Sequence, residues 1–150
     1  MKRLHVHLAV ENLQKNIEFY STMFGAKPTV QHEDYAKWML DDPRVNFAIS
    51  NRSDQIGLDH LGIQAESDQE LKDIKQCLDQ TQASIETQQG TACCYSESDK
   101  HWVMDPQGIA WESFHSLKSI PTFNTEKAVA DSDSSSSCCT PEPKKTSCCG

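Results

Sequence analysis

The chain has little positive charge and lacks a long apolar run. Among its 150 residues, 14 Lys and Arg stand against 22 Asp and Glu, so the formal net charge is −8. A chain this acidic is a poor match for phosphate backbones, which argues against nucleic acid as a partner. No segment approaches the roughly 20 apolar residues of a membrane-spanning helix, and no signal-peptide run follows Lys2 and Arg3. We therefore expect a cytoplasmic protein without a nucleic-acid or membrane partner.

Cysteine is present in an unusual arrangement. Six of the seven cysteines form adjacent pairs, namely Cys93-Cys94, Cys138-Cys139 and Cys148-Cys149. Adjacent Cα atoms lie about 3.8 Å apart, below the span of about 4.4–6.8 Å that a disulfide usually needs. Each pair is therefore expected to present two sulfurs to one soft ion. The lone Cys77 lies beside the apolar face of a predicted helix, where we expect a core position.

The composition changes at residue 118. The stretch 118–150 is rich in Ser, Cys, Pro and charged residues and carries few apolar side chains. Such a stretch buries too little surface to offset the entropy cost of ordering it. It is predicted to be a disordered tail, and two of the three cysteine pairs lie in it.

The rest of the chain contains one pattern twice. Apolar and polar residues alternate from Leu4 to Val10 as in a strand, a helical apolar pattern follows the capping residue Asn12, and three strand-like segments come next. The same order restarts near Leu58, with a capping box at Ser67. This repetition predicts an α+β domain over 1–117, built from two βαβββ modules at about 1–52 and 56–117.

The repeat brings out a candidate metal site. His5 and His60 each lie seven residues before the capping residue of the following helix, so they are expected at equivalent places on equivalent first strands. Glu112 lies on the last strand of the second module and has no carboxylate counterpart in the first. Two His and one carboxylate are typical of non-heme Fe(II) sites that activate oxygen. His7 is either a group that supports the ligands or a rival ligand.

The chain resembles the vicinal oxygen chelate superfamily, which includes glyoxalases, bleomycin and fosfomycin resistance proteins and extradiol dioxygenases. The segments that carry this resemblance are HVHLAVENL at 5–13, LDHLG at 58–62, DPQG at 105–108 and WE at 111–112. Within the superfamily, TACCY at 91–95 followed by DKHWV at 99–103 resembles the ArsI/CadI branch of C–As lyases and cadmium-induced proteins. A vicinal oxygen chelate fold over about 1–116 is therefore expected.

The resemblance implies a chemistry. It implies that His5, His60 and Glu112 bind Fe(II) and that Cys93 and Cys94 bind trivalent arsenic. The implied reaction is O₂-dependent cleavage of the carbon–arsenic bond in methylarsenite or trivalent aromatic arsenicals, which releases arsenite and detoxifies arsenic. Because trivalent arsenic is thiophilic, the cysteine pair would hold it with its organic substituent toward the iron.

Two other functions remain open from the sequence. One is a cadmium or soft-metal binding resistance protein without turnover, and the other is a glyoxalase-type isomerase or thiol transferase of the same superfamily. The tail thiols Cys138, Cys139, Cys148 and Cys149 are interpreted as a device that captures arsenic or buffers soft metals. The sequence also permits a homodimer, because paired βαβββ modules can form a site within one chain or between two.

Overall fold

The computed structural model describes residues 1–121, and it contains the predicted module twice. The elements of the first module are β1 (Arg3–Ala9), α1 (Leu13–Phe24), β2 (Val30–Gln31), β3 (Tyr35–Asp41) and β4 (Arg44–Ser50). Those of the second are β5 (Gly57–Ala65), α2 (Asp68–Asp79), β6 (Ile85–Cys93), β7 (Ser96–Met104) and β8 (Ala110–Ser119). The βαβββ repeat is thereby confirmed.

Local signals explain where both helices begin. The Asn12 side chain accepts a hydrogen bond from the Lys15 amide at 2.9 Å, and the Ser67 hydroxyl accepts one from the Glu70 amide at 3.2 Å. Gly25 ends α1 in the left-handed conformation, with φ of 63°, which costs a glycine little. The two caps align the modules, as the sequence predicts.

All eight strands form one mixed sheet in the order β2-β3-β4-β1-β5-β8-β7-β6. The two first strands, β1 and β5, are antiparallel neighbours at its centre, and each pairs in parallel with the last strand of its own module. Within these pairs His7 lies opposite Ala48, and Gly62 lies opposite Glu112. This register makes Ala48 and Glu112 equivalent, in agreement with the sequence repeat.

The sheet curls until its two ends meet. A flat sheet of eight strands would separate its edge strands by about 34 Å. Instead the ring of His32, just after β2, stacks on Tyr95 in the β6–β7 turn with centroids 3.4 Å apart. The Tyr95 hydroxyl also donates a hydrogen bond to the Asp34 carboxylate at 2.8 Å. The curl creates a concave inner face, and both helices pack on the outer face.

Two details differ from the sequence predictions. β8 continues through Ser119 because its end pairs with the start of β7, so residues 118 and 119 belong to the sheet. The position expected for Cys77 is wrong, because its side chain on α2 is exposed. The four tail cysteines fall after residue 121 and lie outside the described residues. Within residues 1–121, neither helix is long and apolar enough to cross a membrane.

Candidate metal and thiol site

Three histidines from the two central strands project onto the concave face. His5 and His7 alternate along β1, and His60 lies opposite His7 on β5. All three are buried, with 5 %, 3 % and 2 % of their surface exposed. The Nε2 atoms of His5 and His60 face each other at 3.1 Å.

Glu112 joins this group from β8. Its Oε2 atom lies 3.6 Å from His60 Nε2 and 3.9 Å from His5 Nε2. The close approach of β8 to β5 depends on Gly62, because a Cβ atom there would collide with the Glu112 carbonyl oxygen. All three predicted ligands thus converge within one chain.

The outer nitrogens of the two facing histidines are already engaged. His5 Nδ1 donates to the Asn46 carbonyl oxygen at 3.0 Å, and His60 Nδ1 donates to the Asp59 carboxylate at 2.5 Å. With both Nδ1 atoms donating, the two Nε2 atoms can either share a proton or direct their lone pairs to a metal ion between them. Partners of this kind on Nδ1 are a regular feature of metal-binding histidines.

The pKa values of His5 and His60 shift in opposite directions. Burial would lower the pKa of His60, but hydrogen bonds to Asp59 and Glu112 outweigh it and raise the pKa to about 9. Burial and the charge of His60 lower the pKa of His5 to about 4. Without a metal, His60 is therefore the charged member of the pair at neutral pH and His5 is the neutral one. Two imidazole nitrogens and one carboxylate oxygen are a donor set that suits a divalent transition metal.

His7 occupies a different environment on the same face. Its Nε2 lies 3.0 Å from the Ser50 hydroxyl, and its ring packs edge-on against Tyr35 and His60. Burial lowers its pKa to about 3, so it is neutral. His5, His7 and His60 nevertheless each bring a ring nitrogen within 4.8 Å of the others, so three histidines offer a second donor set.

Lys100 is a site residue that the sequence reasoning did not find. It lies on β7, is only 4 % exposed, and donates a hydrogen bond from Nζ to Glu112 Oε1 at 2.7 Å. Burial alone would raise the pKa of Glu112, but the charge of Lys100, together with the hydrogen bond and charge of His60 and the charge of His5, holds that pKa well below its usual range. The sequence did contain a signal for it: Ser98, Lys100 and Trp102 are alternate residues of one strand, so their side chains lie on the same, inner face of the sheet.

Cys93 and Cys94 lie at the turn between β6 and β7. Cys93 pairs with Ser96, so Cys94 and Tyr95 are the two central residues of the turn, with φ of 55° and 61°. Two-residue hairpin turns with this geometry strongly prefer Asn and Gly, so a Cys-Tyr turn stores strain. Strain of this kind is concentrated at functional sites.

The turn holds the two sulfur atoms close together. The Sγ atoms are 3.2 Å apart, which allows one atom to contact both. Both thiols line the same small cavity, of about 40 Å³, as His5, His60 and Glu112. Arg52 braces the turn from the first module, because its Nε donates to Asp34 at 2.7 Å, the same carboxylate that accepts from Tyr95.

The family profile described as Glyoxalase/Bleomycin resistance protein/Dioxygenase superfamily matches residues 2–113. The chain belongs to this superfamily. The family has the paired-module fold described above. Two solved structures share its fold: an extradiol ring-cleaving dioxygenase from B. fuscum, at TM-score 0.59 and 16 % identity, and a Mn(II)-bound glyoxalase from Novosphingobium aromaticivorans, at TM-score 0.57 and 13 % identity. The matches cover 79 % and 85 % of this chain but only 33 % and 44 % of those longer chains.

Curated relatives are more similar in sequence. A trivalent organoarsenical cleaving enzyme of Bacillus sp. (strain MD1) is 38 % identical, over 99 % of this chain and 91 % of that protein. A cadmium-induced protein, CadI, of Mycobacterium tuberculosis is 31 % identical, over 93 % of each. This superfamily member is therefore similar to proteins whose names refer to soft, thiophilic elements.

Proposed function

We propose that the protein cleaves the carbon–arsenic bond of trivalent organoarsenicals such as methylarsenite or trivalent aromatic arsenicals and releases arsenite. One observation carries the proposal: a vicinal thiol pair and a His-His-Glu donor set line the same cavity. The organoarsenical cleaving enzymes among its relatives support the substrate class. In this proposal the protein contributes to arsenic detoxification.

In this function Cys93 and Cys94 hold the arsenic. Two sulfurs 3.2 Å apart bind one thiophilic atom without rearranging the turn. The two thiols form As–S bonds and displace two hydroxyl groups of the arsenical, which leave as water with the thiol protons, and the carbon substituent then extends into the cavity. Fixing the substrate in this way supplies orientation, a large part of the advantage of an enclosed site.

His5, His60 and Glu112 hold Fe(II) in this function. Fe(II) supplies the redox chemistry that activates O₂, which a Zn²⁺ ion in the same place would lack. Asn46 and Asp59 keep the two imidazoles in the tautomer that directs Nε2 inward. Buried Trp102 and Phe114 in the cavity wall limit access of water.

A turnover experiment tests the proposal. The protein is reconstituted with Fe(II) without oxygen, methylarsenite is added, air is admitted, and arsenite is measured by chromatography with element-specific detection. We expect arsenite only when iron and O₂ are both present. Cys93→Ser/Cys94→Ser should abolish it, whereas Cys77→Ser, a thiol outside this cavity, should not. Arsenite formation without iron, or by the double serine variant, would contradict the proposal.

Soft-metal binding without turnover is a second candidate, favoured by the similarity to the cadmium-induced proteins. It uses the thiol pair and leaves the His-His-Glu set without a role. His60→Ala separates the two functions, because it should end arsenite release but leave arsenical or Cd²⁺ binding at the thiols intact. Tight binding with no arsenite formation by the wild-type protein would favour sequestration.

Three finer points belong to the same proposal. The reaction is placed in the cytoplasm, where reducing conditions keep adjacent cysteines as thiols. The tail pairs Cys138-Cys139 and Cys148-Cys149 are proposed to capture arsenicals before they enter the cavity. A homodimer is not needed to complete the site, since His5 and Glu112 meet within one chain.

A further inference from the structure

Lys100 connects the two halves of the candidate site. Its side chain is 4 % exposed, lines the cavity that contains both thiols, and makes its ion pair with Glu112 rather than with a surface carboxylate. A buried ion pair seldom adds net stability, because desolvating two charges offsets their attraction. Stability of the fold therefore does not explain why Lys100 lies beside His5, His60 and Glu112.

The two oxygens of Glu112 have different partners. Oε1 accepts the Lys100 hydrogen bond at 2.7 Å, and Oε2 faces the Nε2 atoms of His60 and His5 at 3.6 and 3.9 Å. A carboxylate with both oxygens unengaged can bind a metal through either one or two of them. With Oε1 held by an ammonium group, only Oε2 is directed to the space between the histidines.

We infer that Lys100 is a positioning residue that limits Glu112 to one metal-facing oxygen and so keeps a coordination position available for O₂. The inference rests on the proposed Fe(II) site and deepens it. The ammonium group has a second effect, because a positive charge beside Glu112 opposes a divalent cation in a cavity of low dielectric. Lys100 therefore lowers the affinity for the metal and at the same time keeps one coordination position of the metal open.

The first module shows that the fold itself does not require this lysine. Lys100 lies opposite Phe114 in the β7–β8 pair, and the equivalent place in the β3–β4 pair, opposite Ser50, holds Tyr35. Tyr35 is also buried, at 3 % exposure. The same position in the same βαβββ unit is thus filled by a neutral ring where no carboxylate ligand is present.

The test uses Co²⁺ as a spectroscopic probe in the full chain. Visible absorption of Co²⁺ weakens severalfold when its coordination number rises from four or five to six. In Lys100→Met we expect a weaker band, because both carboxylate oxygens can now bind, and a dissociation constant for Co²⁺ at least tenfold lower than in the wild type. With Fe(II) and methylarsenite, kcat should fall at least tenfold. Lys100→Arg, which keeps the charge and the hydrogen-bond donor, should restore the wild-type band.

Lys37→Met is the matched control. Lys37 lines the same cavity without an ion pair to Glu112, so Lys37→Met removes a nearby charge but leaves Glu112 Oε1 engaged by Lys100. This variant should keep the wild-type band and should tighten Co²⁺ binding less than Lys100→Met does. Weaker Co²⁺ binding by Lys100→Met, or an unchanged band, would overturn the inference. If that variant does not fold, Lys100→Gln also removes the charge and carries the same expectation for affinity. Failure of the wild-type protein to bind Co²⁺ at all would instead refute the proposed metal site.

Discussion

The two modules share one order of helices and strands but differ in the size of the apolar core beneath each helix. In the first, α1 packs on the sheet through a dense cluster that includes four mutually contacting aromatic rings, Tyr20, Phe24, Trp38 and Phe47. In the second, the corresponding cluster has only three buried members, Ala65, Leu71 and Ile74. An apolar groove of about 710 Å³ remains between α2 and the sheet.

The polar inner face shows the opposite bias. The second module supplies most of the metal-binding, thiol and charged side chains of the cavity, namely His60, Cys93, Cys94, Lys100 and Glu112. The first contributes His5, His7 and the Asp34–Arg52 brace for the thiol turn. The two copies of the repeat therefore differ in what they contribute: the first provides most of the apolar core, and the second provides most of the side chains of the candidate site.

The largest effect should follow loss of a histidine that faces Glu112. His60→Ala is expected to lower kcat/KM for methylarsenite by about 10⁴-fold or more, because it removes one of the three proposed metal ligands. His7→Ala should lower it by at most about 10–100-fold, because its Nε2 contacts Ser50 instead. Steady-state kinetics with a metal-binding titration measures both. Equal losses in the two variants would point to a three-histidine site.

The second prediction compares the two cores. Trp38→Ala should lower the free energy of unfolding by about 3–5 kcal/mol, because its side chain is fully buried in a tight cluster. Leu71→Ala should cost only about 2 kcal/mol, the low end for this substitution, because its cluster has only three buried members. Urea unfolding followed by circular dichroism gives both values. A larger loss for Leu71→Ala would show that the second module carries more of the stability than its packing indicates.

Filling the groove beside α2 should stabilise the second module and so test whether its core is loosely packed. Cys77 lines this groove, and Cys77→Leu is expected to raise the free energy of unfolding by about 0.5–1 kcal/mol. Lys72→Leu, on the same helix but away from the groove, is the control and should change stability little. Equal effects of the two substitutions would mean that added apolar surface on the helix, and not filling of the groove, is responsible.

The smallest expected effect concerns the tail. A chain that ends at Pro121 keeps all of β8, and we expect its KM for methylarsenite to rise about threefold through loss of local thiol concentration. Its kcat should stay the same, since the cavity is intact. Serine at Cys138, Cys139, Cys148 and Cys149 should reproduce the change if thiols are the cause. An unchanged KM in both proteins would exclude capture by the tail.

Much of the fold was predictable because its signals are local. Alternation of apolar residues, the caps at Asn12 and Ser67 and the turn at residues 105–108 each act over a few neighbours, and together they define two modules. The end of β8 was less predictable, because residues 118 and 119 are polar and pair only through the backbone of β7. Cys77 was misplaced because helical periodicity does not show how well a helix covers the sheet.

The candidate site was predictable in part. Cap spacing marked His5 and His60, and the cysteine pair is evident from adjacency alone. The functions of these residues remain proposals. Lys100 was missed because its importance lies in one contact with Glu112 across two strands. The bond between Tyr95 and Asp34 was equally hidden, since 61 residues separate its partners.

By itself, the sequence determined the two modules, their equivalence and the residue types available for metal and thiol chemistry, because these follow from periodicity and spacing along the chain. Only the tertiary structure decided that the candidate ligands from both modules meet in one chain, that Lys100 binds one oxygen of Glu112, and that the thiol turn closes onto the first module. The physical reason is the curl of the sheet. It brings the ends of an eight-stranded sheet together, and no local pattern in the sequence encodes that distance.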